Sequence, residues 1–247
     1  MTTAPSPILE VAELDFVFEL RPWAFASERA SDIAQHWRER KAAKPALFDG
    51  RVLLLGRHEF VTRDDGATVL RGGYFEVSYS AFLAWRDFGF PDASVCNCFS
   101  MAALQCSDGA FLLGEMGAHT ANSGSIYFAA GTPDPKDVFG GKVDLTASGK
   151  RELEEETGLA PSEVTMAAGW TVVYAPPRIA CMKLTRTTLI APMAKARIDA
   201  FLRADAQPEL ARMHIVASRD DIDVKRSPAF LVDYLRRALG VDQSSEG

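Results

Sequence analysis

Lys150-Arg151-Glu152-Leu153-Glu154-Glu155-Glu156-Thr157-Gly158-Leu159 is the stretch on which the reading of this chain turns. Glu152, Glu155 and Glu156 stand at i, i+3 and i+4, so a helix here carries three carboxylates on one face. Like charges at that spacing destabilise a helix unless something neutralises them. Clustered carboxylates form a hard oxygen site suited to Mg²⁺ or Mn²⁺, cations that bridge to substrate phosphates. Leu153 points away from the acidic face and is placed to anchor the helix on a sheet. Gly158 is placed to end it in a left-handed conformation, and the planar fork of Arg151 can brace a carboxylate. A solvated surface helix is the commoner source of a bare glutamate run. The ordered string Arg-Glu-aliphatic-x-Glu-Glu-x-Gly-aliphatic, however, is expected by chance in only about one in 10⁵ chains of this length.

Outward from this helix the pattern alternates strands and helices. Downstream, strands are expected near 164–175 and 179–191, a helix over 194–202, a strand over 213–217 and a final helix over 228–239. Upstream, residues 94–116 read as a hairpin around Ser107-Asp108-Gly109, followed by a strand at 125–130 and a long polar loop over 131–144. Before a hinge at Gly89-Phe90-Pro91, a small module is expected: one strand over 8–20, a helix over 27–44, a strand at 52–55, one or two strands over 57–80, and a short helix capped by Ser80. The expected fold class is α/β, strands layered between helices, with residues 1–90 an α+β extension and 91–247 the main domain.

Residues 151–159 match the second half of the Nudix box at every fixed position: Arg151, Glu152, Leu153, Glu155, Glu156, Gly158 and Leu159. The chain therefore resembles the Nudix hydrolases over roughly residues 94–240. The resemblance implies an α/β/α sandwich with a mixed sheet, Glu152, Glu155 and Glu156 as ligands of Mg²⁺ or Mn²⁺, and Arg151 orienting them. The first half of the box departs from the pattern. Its glycine should fall at Asp137 and its first glutamate at Val143. Asp144, one residue late, is either a carboxylate for the site or a helix cap. A second resemblance, carried by Trp37…Lys44-Pro45-x-Leu47-Phe48-Asp49-Gly50-Arg51-Val52 and Tyr79-x-x-Phe82-Leu83, is to the extension of Nudix proteins that split UDP-glucose and UDP-galactose.

The bulk composition narrows the partners. The 247 residues carry 27 basic and 33 acidic side chains, a net charge of -6, which argues against nucleic acid as the main partner. A small nucleotide-type substrate remains, since a metal and one or two basic side chains suffice for it. No signal peptide is visible in MTTAPSPILEVAEL and no apolar run reaches spanning length, so a cytoplasmic protein without a membrane partner is expected. Cys96, Cys98, Cys106 and Cys181 lack C-x-x-C spacing and read as buried, reduced thiols. His36, His58, His119 and His214 are scattered, which argues against a zinc site.

The reaction expected is hydrolysis of a diphosphate linkage, with a UDP-sugar the first choice and coenzyme A, ADP-ribose, dinucleotides or NADH the alternatives. Glu209 and Asp144 are the candidate general bases, and Arg178 and Tyr127 the candidate substrate contacts. Trp23, Trp37 and Trp85 give the extension more anchors than a passive tail needs, so it is expected to shape the pocket or a homodimer interface. The rival reading is a sensor that keeps the fold and binds a nucleotide-like ligand without catalysis.

Overall fold

In the computed structural model, residues 6–240 are described; Met1–Pro5 and the terminal stretch that includes QSSEG lie outside them. Strands β1 (Ile8–Val11) and β2 (Glu13–Phe18) precede helices α1 (Ala24–Glu28) and α2 (Ala30–Ala43), then β3 (Arg51–Thr62), β4 (Thr68–Ser78) and α3 (Tyr79–Asp87). Next come β5 (Asn97–Gln105), β6 (Phe111–Met116), β7 (Ile126–Tyr127), β8 (Ala129–Gly131), β9 (Val138–Phe139), β10 (Lys142–Val143) and α4 (Leu145–Thr157). The chain continues through β11 (Val164–Met166), β12 (Trp170–Ala175), β13 (Arg178–Thr187), α5 (Ala191–Ala204), β14 (Leu210–Val216) and α6 (Ala229–Ala238).

The strands form two mixed sheets. The larger runs β1-β12-β13-β5-β6-β14, with β11 on β13, β7 on β6 and β8 on β5; β13 and β5 are parallel. Along β5 the side chains alternate between faces. Met101 and Ala103 join Phe111, Leu231 and Tyr234 beneath α6. Ala102 and Leu104 join Leu153, Ala194 and Ile198 beneath α4 and α5. Helices thus cover both faces, the α/β layering expected from the sequence. Each leucine sealed in these cores contributes about 2 kcal/mol.

The smaller sheet runs β3-β4-β2-β10-β9, with β2 and β4 parallel. Leu53 and Leu55 of β3 pack with Cys98, Ile179 and Cys181 against the larger sheet. Val52 and Leu54, on the opposite side of the same strand, pack with Trp23, Phe82 and Trp85 under the N-terminal helices. All four cysteines are buried and unbridged. No helix among the described residues is long and apolar enough to cross a membrane.

Several local expectations are corrected. The single strand over 8–20 is two strands broken at Ala12: β1 pairs with β12 in the larger sheet, whereas β2 pairs with β4 in the smaller one. The helix over 27–44 is divided at Arg29, and the cap of α3 is Ser78, whose hydroxyl accepts the Ala81 amide at 3.2 Å. The polar loop over 131–144 contains β9 and β10, and β10 pairs with β2 through Lys142 and Val17. Strands therefore cross residue 90 in both directions: one from the N-terminal module joins the larger sheet, and two from beyond it join the smaller.

Candidate active site

α4 forms because both its ends are satisfied locally. Asp144 Oδ1 accepts the Thr146 and Ala147 amides at 2.8 and 3.0 Å, covering donors that the first turn leaves open. At the other end Gly158 adopts φ 67°, and its amide donates to the Glu154 carbonyl at 2.8 Å. Leu153 and Leu159 are buried and pin the helix to the sheet. Gly149 lets it lie close, because a Cβ there would stand 3.2 Å from Ser100 Oγ. Asp144 is thus occupied as the helix cap.

The three motif carboxylates meet different surroundings. Glu155 is 61% exposed. Glu152 lines a cavity and rests against β8 at Gly131, where any Cβ would collide with its carboxylate. Burial, and then the charge of Glu155, pushes the Glu152 carboxyl up to about 7 despite the opposing Arg151 charge. Glu156 is 4% exposed and its Oε2 has no hydrogen-bond partner. Burial, then the charges of Glu152 and Glu209, hold its carboxyl well above the usual carboxylate range. A buried carboxylate beside two others is costly unless a cation compensates it.

Arg151 supplies part of that compensation. Its guanidinium donates to Glu152 Oε1 at 2.7 Å and lies 3.6 Å from Glu155 Oε2. Its Nη2 also donates to Asp137, lying 3.2 and 3.1 Å from the two carboxylate oxygens. Asp137 is 2% exposed and also accepts the Asp134 amide at 3.0 Å. In the motif alignment Asp137 stands only where the box has a glycine. The readable signal was Asp134-Pro135, which caps the short turn that delivers Asp137. Val143, where a glutamate was expected, is buried in the core between the sheets.

The cavity exists because β5 and β6 pair only through Gln105 and Phe111 and then diverge, β8 following β5 and β7 following β6. It measures about 830 Å³ and is walled on one side by the N-terminal module, including Phe48, Tyr79, Phe82 and Arg86. Glu209, just before β14, lines it and carries the charge felt by Glu152, Glu156 and Tyr127. Tyr127 lines it too; burial, and then the charges of Glu156 and Glu209, hold its phenol well above the ordinary range. Arg178 also lines it. Of the residues singled out in the sequence, Glu152, Glu209, Tyr127 and Arg178 line this cavity, whereas Arg151, Glu155, Glu156 and Asp144 are not among its lining residues. Phe48, 80% exposed, and Arg86 had no assigned role there.

No protein-family model matches the chain, and no curated protein matches it. Among solved structures, it is similar to an Ap4A hydrolase of C. elegans, with 15% identity, a TM-score of 0.40, and coverage of 56% of this chain and 93% of that one. It is similar to the MutT protein of Methanosarcina mazei Go1 at 18% identity and a TM-score of 0.39, covering 57% and 91% of the two chains. RenU, a Nudix hydrolase of M. smegmatis, gives 12% identity, a TM-score of 0.36 and coverage of 57% and 80%. Likenesses this faint assign no residue a role.

The donor set can be tested against a divalent ion on its own chemistry. All the candidate ligands are hard oxygens, and Glu156 Oε2 is a buried acceptor lacking a donor. Among the described residues no three acidic, histidine or cysteine side chains converge tightly enough to chelate one ion as they stand. Glu155 is exposed and shares the helix face of Glu152 and Glu156. The residues fit Mg²⁺ or Mn²⁺ by type and by charge.

Proposed function

We propose that this protein is a Nudix-type pyrophosphohydrolase, dependent on Mg²⁺ or Mn²⁺, that cleaves the diphosphate linkage of a nucleoside diphosphate joined to a second moiety. The observation that carries the reading is Glu156: a carboxylate buried, unpartnered at Oε2, and set beside Glu152 and Glu209. Nothing in a purely structural helix explains retaining that arrangement, because an apolar side chain at the position would be less costly.

In this reading Glu152, Glu155 and Glu156 hold the metal, and Arg151, itself fixed by Asp137, keeps Glu152 in place. A bound divalent ion neutralises phosphate charge and lowers the pKa of water. Glu209 faces the same cavity and is the better placed of the two candidate bases, because Asp144 is committed to its helix cap. Tyr127 lines the wall, and the exposed ring of Phe48 offers a stacking surface for a nucleobase. The products are a nucleoside monophosphate and a phosphorylated remainder.

A UDP-sugar is the substrate of first choice, on the resemblance of residues 37–83 to the extension of UDP-sugar-cleaving proteins. Coenzyme A, ADP-ribose and NADH are the alternatives. A panel of these compounds incubated with Mg²⁺ or Mn²⁺ is expected to yield monophosphate from at least one, with ¹⁸O from labelled water entering a phosphoryl group. Label in free sugar with intact UDP would refute phosphorus attack. The sensor reading is favoured by Val143 at the glutamate position, and ligand binding without turnover across the panel would establish it instead.

A further inference from the structure

The cavity has a second charged wall, opposite in sign to the first. Arg86 of α3 and Arg178 at the start of β13 both line it. Arg86 is held in place by neighbours: Nε donates to Asp87 Oδ1 at 3.0 Å and a terminal nitrogen donates to Asn122 Oδ1 at 3.0 Å. Asn122 in turn donates to the Tyr127 hydroxyl at 3.2 Å. Asp87 is shared with His36 and Arg40, at 3.0 and 3.6 Å, so its single charge is spread over several cationic or potentially cationic groups.

Arg178 is held differently. Its guanidinium carbon lies 4.9 Å from the ring centre of Phe90, within cation–π reach. Phe90 is placed for this by a left-handed backbone at φ 61° and by its amide donating to the Trp85 carbonyl at 2.8 Å. Among the described residues Arg178 has no carboxylate partner within ion-pair reach. Desolvation, and then the charge of nearby Arg86, lower its basicity, whereas Arg86 itself is paired with Asp87. Arg178 is level with Asn97 on β5, and Gly131, against Glu152, is level with Ser100. Their backbone positions are thus about 10 Å apart along the strand direction.

We propose that Arg86 and Arg178 form an anion subsite that receives a phosphoryl or carboxylate group of the substrate across the cavity from Glu152. Five planar donors on each guanidinium suit two-pronged binding of such a group. Arg86 lies in the N-terminal module, so the subsite also gives that module a direct part in recognition. The proposal rests on the cavity being the substrate site, but its anion chemistry can be tested without turnover.

The test is calorimetric titration of the full chain with inorganic phosphate in EDTA, with no divalent ion present. Wild type is expected to bind, Arg178→Gln and Arg86→Gln to bind about tenfold or more weakly, and Arg178→Lys to retain part of the affinity. No binding by wild type, or equal binding by all four proteins, would overturn the subsite. Where a panel substrate is turned over, KM for UDP-glucose and for UDP-glucuronate identifies the source of the anion. A rise for both in Arg178→Gln assigns the anion to the diphosphate, a rise for UDP-glucuronate alone assigns it to the sugar carboxylate, and a rise for neither overturns the proposal. Phosphate binding that depends on the arginines, without hydrolysis of any substrate, would keep the subsite and remove only the hydrolase reading.

Discussion

Residues 131–144 and residues 145–159 are neighbours in sequence, yet one follows the Nudix resemblance and the other abandons it. Over 145–159 every interaction that shapes the helix is local: Asp144 at one end, Gly158 at the other, and Leu153 turned to the sheet. Over 131–144 the shaping partners are distant. Lys142 pairs with Val17, and Val143 fills the core between two sheets beside residues such as Phe16 and Leu70. The contrast teaches that this loop belongs to the smaller sheet through Lys142, and that Asp137 stands against Arg151 at the position where the box has a glycine.

Restoring the box residue should therefore do harm. Val143→Glu buries an uncompensated carboxylate, so denaturant unfolding is expected to show a loss of about 3–4 kcal/mol. A variant of wild-type stability with higher activity would mean that the segment is still a catalytic loop. Asp137→Ala removes one partner of a largely buried pair and is expected to cost about 2 kcal/mol by the same measurement. Equal stability would reduce the Asp137–Arg151 pair to an incidental contact.

Gly131 lies at the junction of the two regions. Gly131→Ala pushes the Glu152 carboxylate off β8, and kcat is expected to fall about tenfold, about 1.4 kcal/mol in the barrier, with little change in melting temperature. Unchanged kcat would show that the position of Glu152 is not critical.

Glu115 provides the mildest test, as a carboxylate whose charge is already answered. The Arg212 guanidinium at 2.8 Å, with His214 at 2.8 Å and Arg226 at 3.1 Å, holds its carboxyl down to about 2. A depressed folded-state pKa adds stability above the ordinary glutamate range, and that increment is lost as pH falls from about 4.5 to 2. Glu115→Gln should accordingly be less stable at pH 7, by about 0.5–1 kcal/mol given its solvent-facing partners, and the gap should close near pH 2. A gap that does not change with pH would remove the linkage.

The same local–distant divide decides what the sequence revealed. The acidic face, Leu153, the glycine stop and the α/β alternation were legible because helical and strand periods are written in neighbouring residues. The break at Ala12 was not, because nothing in ILEVAELDFVFEL says that its two halves join different sheets. Arg86 gave no sign either, since only the folded chain brings it to Asn122 and to the cavity that Arg178 also lines. The cavity likewise depends on β5 and β6 diverging after one pair, a feature of register that composition does not encode.

The central claim is that Glu156 is kept buried with its Oε2 unpartnered because it helps to hold a divalent ion for phosphoanhydride hydrolysis. Monophosphate release from the panel in Mn²⁺, compared between wild type and Glu156→Gln with Mn²⁺ binding followed in parallel, tests it most directly. Wild type should turn over in a metal-dependent way. Glu156→Gln should stay folded, bind Mn²⁺ more weakly and lose about 10²-fold or more in kcat. A folded Glu156→Gln protein with activity within about threefold of wild type and undiminished Mn²⁺ binding would contradict the claim.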